Sequence, residues 1–270
     1  MTEEKEEKSG SSGKDRPAVS LRPGEIIRSA GKIKIIESGK GLAWGTDAWL
    51  LAAYIRKCRR LCELGCGSGV ISLAAAAYGR AESVTGIEIM EEPADRAERA
   101  AALNGFGDSV RIVRRDIREV RYTDPDIGGR FDAVAANPPY ISHPGKAKGD
   151  PESDAARHEI HGGVADFCAA AARLLDHRGS FFCVFRPARL PDLFSSMRAV
   201  KLEPKKMTLV CSDAASAPSL VLCEAVLGAA PGLDVSPPLF FYRDGPSVTP
   251  RVMTERMSEI YESCSFGERR

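Results

Sequence analysis

The feature that most constrains the fold is a glycine-rich turn between an apolar strand pattern and an apolar helix pattern. Glycine recurs at every second position from Gly65 to Gly69. The flanking patterns predict a strand at Leu61–Leu64 and a helix at Val70–Tyr78. Strand and helix patterns then alternate as far as residue 226. This alternation predicts an α/β fold with a mostly parallel, seven-stranded sheet and helices on both faces.

The remaining elements follow from the same patterns. Further strands are predicted at Ser83–Ile87, Val110–Val113, Phe131–Ala135, Ser180–Phe185, Met207–Val210 and Leu220–Val226. Further helices are predicted at Glu91–Leu103, Gly163–Leu175 and Asp192–Val200, and one more begins with Thr46 or Asp47 as its N-cap.

The spacing of the turn glycines narrows the class of ligand. Gly65, Gly67 and Gly69 permit a tight turn and let backbone amides approach a ligand closely. Glu88 follows Gly69 by 19 residues, so one helix and one strand bring its carboxylate to the same crevice, where it could accept ribose hydroxyls. Dinucleotide-binding turns carry their third glycine one residue later. With Glu63 before it, the tighter spacing resembles the nucleoside-binding turn of enzymes whose ligand has no pyrophosphate; an NAD-binding turn is the alternative.

A second motif, Asn137-Pro138-Pro139-Tyr140, follows the predicted strand Phe131–Ala135. Ligands bind outside the carboxyl ends of parallel strands, so this motif is expected beside the glycine turn. The Asn137 side-chain oxygen and the Pro138 carbonyl can each accept an N–H, and the consecutive prolines stiffen the backbone that carries them. Tyr140 can stack on a planar group. The four residues predict chemistry on a conjugated exocyclic amine; the alternative is a turn that merely ends a strand.

With both motifs, the chain resembles the N6-adenine branch of class I methyltransferases. It looks most like the bacterial valine-tRNA adenine-N6-methyltransferase family, which modifies the adenine immediately 3′ of the anticodon. The resemblance runs from about Leu42 to Tyr261 and includes the segments Gly45–Ala52, Ala156–Ile160, Phe185–Leu190, Lys201–Lys206, Pro237–Tyr242 and Thr249-Pro250. It implies a Rossmann-like class I methyltransferase fold and S-adenosyl-L-methionine as cofactor.

The resemblance also implies roles for individual residues. The cofactor would contact the turn and its surroundings through Glu63, Gly65, Gly67, Gly69, Glu88 and Asn137. Thr46 and Asp47 would help to close the cofactor pocket, and Asp116 would receive the adenine ring. For Asp47 the alternative is a helix cap, and for Asp116 it is a solvated loop acid.

The implied partner is RNA, with a single-stranded anticodon loop as the best match because its bases are already splayed. Candidate contacts are Lys146, Lys148, Arg157, Arg186, Arg189, Lys205 and Lys206; for Arg157 the alternative is a surface ion pair. The formal net charge is +1, so RNA binding requires local basic patches. Basic series are more often solvated faces than binding sites, and the series between Arg111 and Arg121 has that alternative. The apolar loop Leu227–Pro231 departs from the family, where this loop tends to be basic.

Composition excludes several classes of site. The eight cysteines include no Cys-x-x-Cys pair, and most lie in apolar runs, so we expect reduced structural thiols. The four histidines have no zinc-type spacing with the cysteines, which argues against a metal site. The N-terminus lacks the apolar core of a signal peptide, and no apolar run approaches the ~18 residues that span a bilayer. We therefore expect a cytoplasmic protein without a membrane partner.

The chain is predicted to divide into three parts. Residues 1–20 are charged and then Ser/Gly-rich, which predicts a disordered tail. Residues 21–262 form a single methyltransferase domain, and residues 263–270 form a flexible C-terminus.

Four other functions are the alternatives to this interpretation. A protein methyltransferase acting on the glutamine amide of release factors also carries Asn-Pro-Pro-Tyr, but usually after a helical N-terminal domain. A ribosomal-RNA guanine-N2 methyltransferase tends to have another aromatic residue in place of Tyr140. A non-catalytic nucleotide-binding module or a dehydrogenase would leave Asn137 without a role.

Overall fold

The structure of the protein is a computed structural model that describes residues 19–39, 45–140, 162–245 and 247–267. Its strands are β1 (Glu25–Ala30), β2 (Ile33–Ser38), β3 (Cys58–Leu64), β4 (Ala81–Glu88), β5 (Val110–Arg114), β6 (Phe131–Ala136), β7 (Leu175–Phe185), β8 (Leu202–Cys211), β9 (Pro218–Leu227) and β10 (Asp234–Phe240). Its helices are α1 (Thr46–Tyr54), α2 (Val70–Ala77), α3 (Glu91–Asn104), α4 (Val164–Leu174), α5 (Leu190–Ala199) and α6 (Glu255–Ser263).

The described residues contain one large sheet and one separate hairpin. The large sheet has eight strands in the order β10-β8-β9-β7-β6-β3-β4-β5, and β1 pairs with β2. Strand β9 runs antiparallel to β7 and β8, whereas the other neighbours are parallel. The carboxyl ends of β3, β4, β5 and β6 therefore meet at one edge, where open α/β sheets bind ligands.

Two apolar cores lie on opposite faces of the sheet. Successive residues of β7 alternate between them: Phe182 and Val184 join one core, whereas Phe181 and Cys183 join the other. The first core also contains buried residues of α1, α2, α3 and α6, and the second contains those of α4 and α5. The alternation has the period of two that a strand requires. The prediction of a mostly parallel sheet covered on both faces is confirmed.

Some predicted details are wrong. The sheet has eight strands rather than seven, because β10 adds an edge strand that contains Pro237 and Pro238. Prolines donate no ladder hydrogen bond, so this segment lacked a strand signal but is tolerated at an edge. The N-cap of α1 is Gly45, without a side-chain cap, rather than Thr46 or Asp47.

The C-terminal segment is packed further than the predicted boundary at residue 262. Helix α6 extends to Ser263, and both Cys264 and Phe266 are buried. The Phe266 ring packs edge-on against Tyr54 of α1 at 5.2 Å between ring centroids. Nearly all of the predicted N-terminal tail lies outside the described residues.

The cysteines are free thiols, as predicted: seven are buried and Cys58 is half-buried. Burial raises the pKa of the Cys168 thiol to about 12. Such thiols pack as small apolar groups. Within the described ranges, no group of histidine, cysteine or acidic side chains has the arrangement of a metal site. Nor do these ranges include a helix of the length and apolarity needed to cross a bilayer.

Gly86 in β4 provides a test of the packing beneath the glycine turn. A Cβ atom at this position would lie 2.9 Å from the Cys66 Sγ and 2.9 Å from the Ile112 Cδ1. We expect Gly86→Ala to lower the free energy of unfolding by about 1–3 kcal/mol, because both neighbours must shift within a close-packed core. Urea denaturation measures the change.

Gly107→Ala is the matched control, because a Cβ there meets no described atom within 4 Å. It should change the free energy of unfolding by less than ~0.5 kcal/mol. Equal unfolding midpoints for the two variants would mean that the core beneath the turn is loosely packed.

Candidate active site

The glycine turn joins β3 to α2 in a left-handed backbone conformation. Gly65, Gly67 and Gly69 have φ angles of 66°, 52° and 81°, a region that residues with a Cβ rarely adopt. The backbone N–H groups of Gly65 and Cys66 both donate to the Ile87 carbonyl of β4, at 2.8 and 3.0 Å. The turn therefore needs glycine at all three positions, and it is bonded to the neighbouring strand.

Glu88 connects the turn to the end of β4. One of its carboxylate oxygens accepts the Gly67 N–H at 2.8 Å, and the other accepts the Met90 N–H at 2.9 Å. Its residue is 7% exposed, so a fixed acceptor lies at the rim of the turn. The sequence prediction placed Glu88 in one crevice with the glycines, and the structure brings them together.

Glu63 lies beneath the turn. One carboxylate oxygen accepts both the backbone N–H of Ser72, at 2.8 Å, and the Ser72 hydroxyl, at 2.5 Å. Burial raises the pKa of Glu63 to about 8, against the hydrogen bonds from Ser72, which lower it. This contact joins the end of β3 to the first turn of α2. Glu63 therefore stabilises the two ends of the glycine turn.

Asn137 lies beside the glycine turn because of the register between β3 and β6. Leu64 of β3 pairs with Ala136 of β6, and these are the last residues of two parallel strands. Gly65 and Asn137 are the next residues on each strand, so they begin their connections at the same level, one strand spacing of about 4.8 Å apart. The structure thus brings the two sequence motifs to one point on the sheet edge.

Tyr140 is held on several sides. Its hydroxyl hydrogen-bonds the Asp47 carboxylate at 2.8 Å and also contacts the side-chain amide of Asn137. Its ring packs edge-on against Phe185, 5.8 Å away, and the Arg186 guanidinium lies 4.8 Å from the ring centroid. Burial, and secondarily the Asp47 carboxylate, raises the pKa of the Tyr140 hydroxyl well above its ordinary value. The phenol therefore stays protonated at neutral pH.

The other predicted cofactor residues are Thr46, Asp47 and Asp116, and each of them makes a contact within the protein. Asp47 is in the first turn of α1 and also accepts the Ala48 N–H at 2.9 Å. Thr46 accepts a hydrogen bond from the Tyr261 hydroxyl of α6 at 3.3 Å. Asp116 follows β5 beside Glu88, since the Arg115 N–H donates to the Glu88 carbonyl, but its carboxylate pairs with Arg118.

The residues at this edge fit a cofactor that carries a nucleoside. A Cβ built on Gly67 would meet no described atom within 4 Å, so the backbone there faces open space. The Glu88 carboxylate stands at the rim of that space and Asn137 at its neighbouring strand end. A backbone without a side chain beside a buried carboxylate suits close contact with ribose hydroxyls.

The structure places some of the predicted RNA contacts at the site and others away from it. Arg186 and Arg189 lie at the site: the Arg189 guanidinium donates to the Tyr140 carbonyl at 3.3 Å. Lys205 and Lys206 are not brought there, because they contact Ala230 at 3.0 Å and Asp234 at 3.7 Å, where β10 begins. Lys146, Lys148 and Arg157 lie outside the described residues.

Sequence reasoning missed several aromatic side chains at the site. The Phe167 ring lies 3.3 Å from where a Gly65 Cβ would be, which closes the turn from the side of α4. Tyr261 stacks on Trp49 at 6.2 Å and reaches Thr46. Phe185 ends a strand that the sequence predicted, but the sequence carried no signal that linked Phe167 or Tyr261 to the site.

The raised pKa of Glu63 predicts a pH-dependent stability. Between its ordinary pKa of 4.5 and the folded value of about 8, the folded protein keeps a proton that the unfolded chain has lost. Raising the pH through this window therefore destabilises the protein, by up to about 1.4 kcal/mol per unit. Glu63→Gln removes the titration, so its stability relative to the unmodified protein should rise from pH 5 to 8 and then level off.

Urea denaturation at pH 5, 6, 7, 8 and 9 measures this difference. Glu255→Gln is the control, since it also removes a carboxylate, from a side chain that is 86% exposed. A pH-independent difference for Glu63→Gln would mean that the carboxyl titrates near its ordinary value.

Comparison with known proteins agrees with this geometry. Residues 61–149 match the family described as "Methyltransferase domain". A tRNA1(Val) (adenine(37)-N6)-methyltransferase from Yersinia enterocolitica is 31% identical over 159 residues, which cover 57% of this chain and 60% of the relative. Its counterpart from Bacteroides fragilis is 26% identical, with 66% and 74% covered. The chain thus spans less than two thirds of the first of these relatives.

Solved structures share the fold. A predicted O-methyltransferase from Agrobacterium tumefaciens superposes with a TM-score of 0.64 at 22% identity, covering 82% of this chain and 97% of the other. A tRNA m1G37 methyltransferase from M. jannaschii has a TM-score of 0.52 at 13% identity, with 77% and 58% covered. The chain therefore has the Rossmann-like fold of these methyltransferases, as the resemblance of its motifs predicted.

Proposed function

We propose that this chain is an S-adenosylmethionine-dependent methyltransferase that acts on the exocyclic N6 of adenine in RNA, with the adenine at position 37 of valine tRNA as its target. The observation that carries the proposal is the placement of Asn137 level with Gly65 on neighbouring parallel strands. A methyl donor bound against the glycine turn and an amine bound at Asn137 would then be adjacent. The named activity of the relatives supports the same target.

The residues of the motif suit a poorly nucleophilic amine. When bound, S-adenosylmethionine supplies a methyl group activated by a sulfonium. The Asn137 side-chain oxygen and the Pro138 carbonyl each accept one N–H of the amine, which favours a pyramidal nitrogen with its lone pair free to attack. Pro138 and Pro139 restrict the backbone that carries these acceptors, and the Tyr140 ring orients the base.

The transfer is a single displacement. With the donor bound, a nitrogen–carbon bond would form as the donor's carbon–sulfur bond broke, so the donor would leave as a neutral thioether and the nitrogen would take the positive charge. The resulting cation is acidic and loses its proton to water. No side chain has to remove a proton before the attack, which agrees with a motif made of an amide, two prolines and a phenol.

The arginine at the crevice supports an RNA substrate more than the arginines near β5 do. Arg186 is exposed beside Tyr140, where it can contact a phosphate next to the target base. By contrast, three arginines at and just after the end of β5 are ion-paired: Arg114 with Glu91, Arg115 with Asp126, and Arg118 with Asp116. Those pairs favour a solvated face for that series.

The substrate is tested with radiolabelled methyl donor and four acceptors. They are a valine-tRNA transcript, the same transcript with guanosine in place of adenine 37, a release-factor domain with its glutamine, and a ribosomal-RNA fragment. The proposal predicts N6-methyladenosine in the first transcript and no label in the second. Label in the release factor, or N2-methylguanosine in the ribosomal fragment, would overturn it in favour of the glutamine or guanine enzyme.

Asn137→Ala tests the assigned role directly. The loss of one amine acceptor should reduce kcat by at least about 100-fold, the range found when a transition-state hydrogen bond is removed. Affinity for S-adenosylhomocysteine, measured by calorimetry, should stay within about 3-fold, a change of less than ~1 kcal/mol. Glu255→Gln, at an exposed position of α6, is the control and should keep both values. Comparable loss of turnover and cofactor affinity in Asn137→Ala would contradict a role confined to the amine.

A further inference from the structure

Three polar side chains from separate parts of the chain form a continuous hydrogen-bonded series at the motif. Asp47 lies in the first turn of α1, whereas Asn137 and Tyr140 lie 90 or more residues later, after β6. The Tyr140 hydroxyl is 2.8 Å from an Asp47 carboxylate oxygen and in contact with the Asn137 amide. Asp47 therefore reaches the catalytic amide through one phenol oxygen.

The single proton of the Tyr140 hydroxyl determines which hydrogen bonds these three side chains can form. As positioned, the amide oxygen of Asn137 faces the hydroxyl, so the single phenol proton has two oxygen acceptors. It can satisfy only one of them. The Asp47 carboxylate is the stronger acceptor because charge-assisted hydrogen bonds are shorter and about twice as strong as neutral ones. With the proton on the side of Asp47, an amide oxygen facing the phenol oxygen would be a contact between two acceptors.

A half-turn of the Asn137 amide removes that conflict. The nitrogen and oxygen of an asparagine amide exchange places with almost no change in shape, and the hydrogen-bond network selects between them. With Nδ2 toward the phenol, the amide donates to the lone pair that Tyr140 keeps. The amide oxygen then points away from Tyr140 and is available as an acceptor.

We propose that Asp47 is a positioning residue that acts through the Tyr140 hydroxyl to fix the Asn137 amide with its oxygen toward the target amine. This inference rests on the proposed function, because it assigns the freed oxygen to the amine. It also differs from the role that the resemblance implied for Asp47, which was to close the cofactor pocket. The Asp47 carboxylate and the Tyr140 hydroxyl do not touch the reacting atoms through this contact, so these two groups act on the reaction through Asn137.

The surroundings hold the series in one arrangement. The second Asp47 oxygen is occupied by the Ala48 N–H at 2.9 Å, which fixes the carboxylate to the start of α1. Phe185 and the Arg189 hydrogen bond to the Tyr140 carbonyl restrict the tyrosine. The raised pKa of Tyr140 keeps its proton in place up to alkaline pH.

A double-mutant cycle tests the relay through kcat at saturating substrate and donor. Tyr140→Phe keeps the ring but removes the hydroxyl, and Asp47→Asn removes the charge that draws the phenol proton. Each should lower kcat by about 10- to 100-fold, because the amide oxygen is then no longer held toward the amine, and misplacing a group at the reacting centre costs up to about 100-fold. In the Tyr140→Phe background, Asp47→Asn should have an additional effect of less than about 2-fold, since the connection is already broken.

The controls separate positioning from structure. KM for the RNA and affinity for S-adenosylhomocysteine should change by less than about 3-fold in each variant, equivalent to under ~1 kcal/mol. Glu255→Gln also removes a carboxylate from the first turn of a helix, but at an exposed site, and should leave kcat unchanged. Independent effects of the two site substitutions, or a loss of cofactor affinity with kcat intact in Asp47→Asn, would overturn the relay.

A spectroscopic readout tests the relay without turnover. The side-chain NH₂ resonances of Asn137 in a ¹H–¹⁵N spectrum, assigned with Asn137→Ala, report whether the nitrogen donates to Tyr140. Their shift should move in both Tyr140→Phe and Asp47→Asn and stay in place in Glu255→Gln. An unmoved resonance in Tyr140→Phe would overturn the relay even if the enzyme methylates RNA. A protein that methylates no acceptor, but shows the shift, would refute the proposed function alone.

Discussion

The parallel pairing of β3 with β6 is the constraint on which the site depends. Hydrogen bonds between the strands fix Leu64 opposite Ala136, so the two connections that follow them start at the same height. A shift of one residue would reverse the faces of every side chain in β6, which alternates between two apolar cores. Burial on both faces of the sheet thus sets the register, and the register places the glycine turn beside Asn137.

Two buried carboxylates then shape the turn. Its left-handed backbone turns amide groups away from the regular ladder, and each needs an acceptor. Ile87 supplies one carbonyl for two of these amides, Glu88 receives a third, and Glu63 ties the start of α2 to β3. Keeping these acids in the interior has a desolvation cost, which is visible in the raised pKa of Glu63. The result is a turn that is formed before a ligand arrives.

The parts of the fold that could be predicted from sequence are those with strong local patterns. The strands β3, β4 and β6 and their order in the chain followed from apolar runs, and the two motifs marked the edge where they meet. β10 was missed because Pro237 and Pro238 contradict a strand pattern, and its pairing with β8 is a tertiary contact. α6 was missed as well. It begins after the N-cap Thr254, whose hydroxyl accepts the Met257 N–H, and the short polar segment around it gave no clear helix pattern.

In the candidate site, too, only the residues with a local sequence pattern could be placed in advance. The turn glycines, Glu88 and Asn137 could be placed together because each ends or follows a strand of one sheet. The placement of Lys205 and Lys206 could not, because a basic pair within a strand carries no information about which end of the sheet it approaches. Likewise, the contact of Asp47 with Tyr140 joins residues 93 positions apart, and no local pattern encodes it.

In the proposed reaction, Arg186 and the target base would compete for the Tyr140 ring. The guanidinium lies 4.8 Å from the ring centroid, which is a cation–π contact, while Phe185 covers the ring from another side. At an exposed site such a contact contributes about 0.5–1 kcal/mol, whereas stacking of a base on an aromatic side chain contributes about 1–3 kcal/mol. In the proposed reaction the base therefore displaces the Arg186 guanidinium from the face of the ring, and the guanidinium stays next to the base. A charge released next to a stacked nucleotide is well placed for the adjoining phosphate, so the same arginine can cover the ring before RNA binds and contact the RNA afterwards.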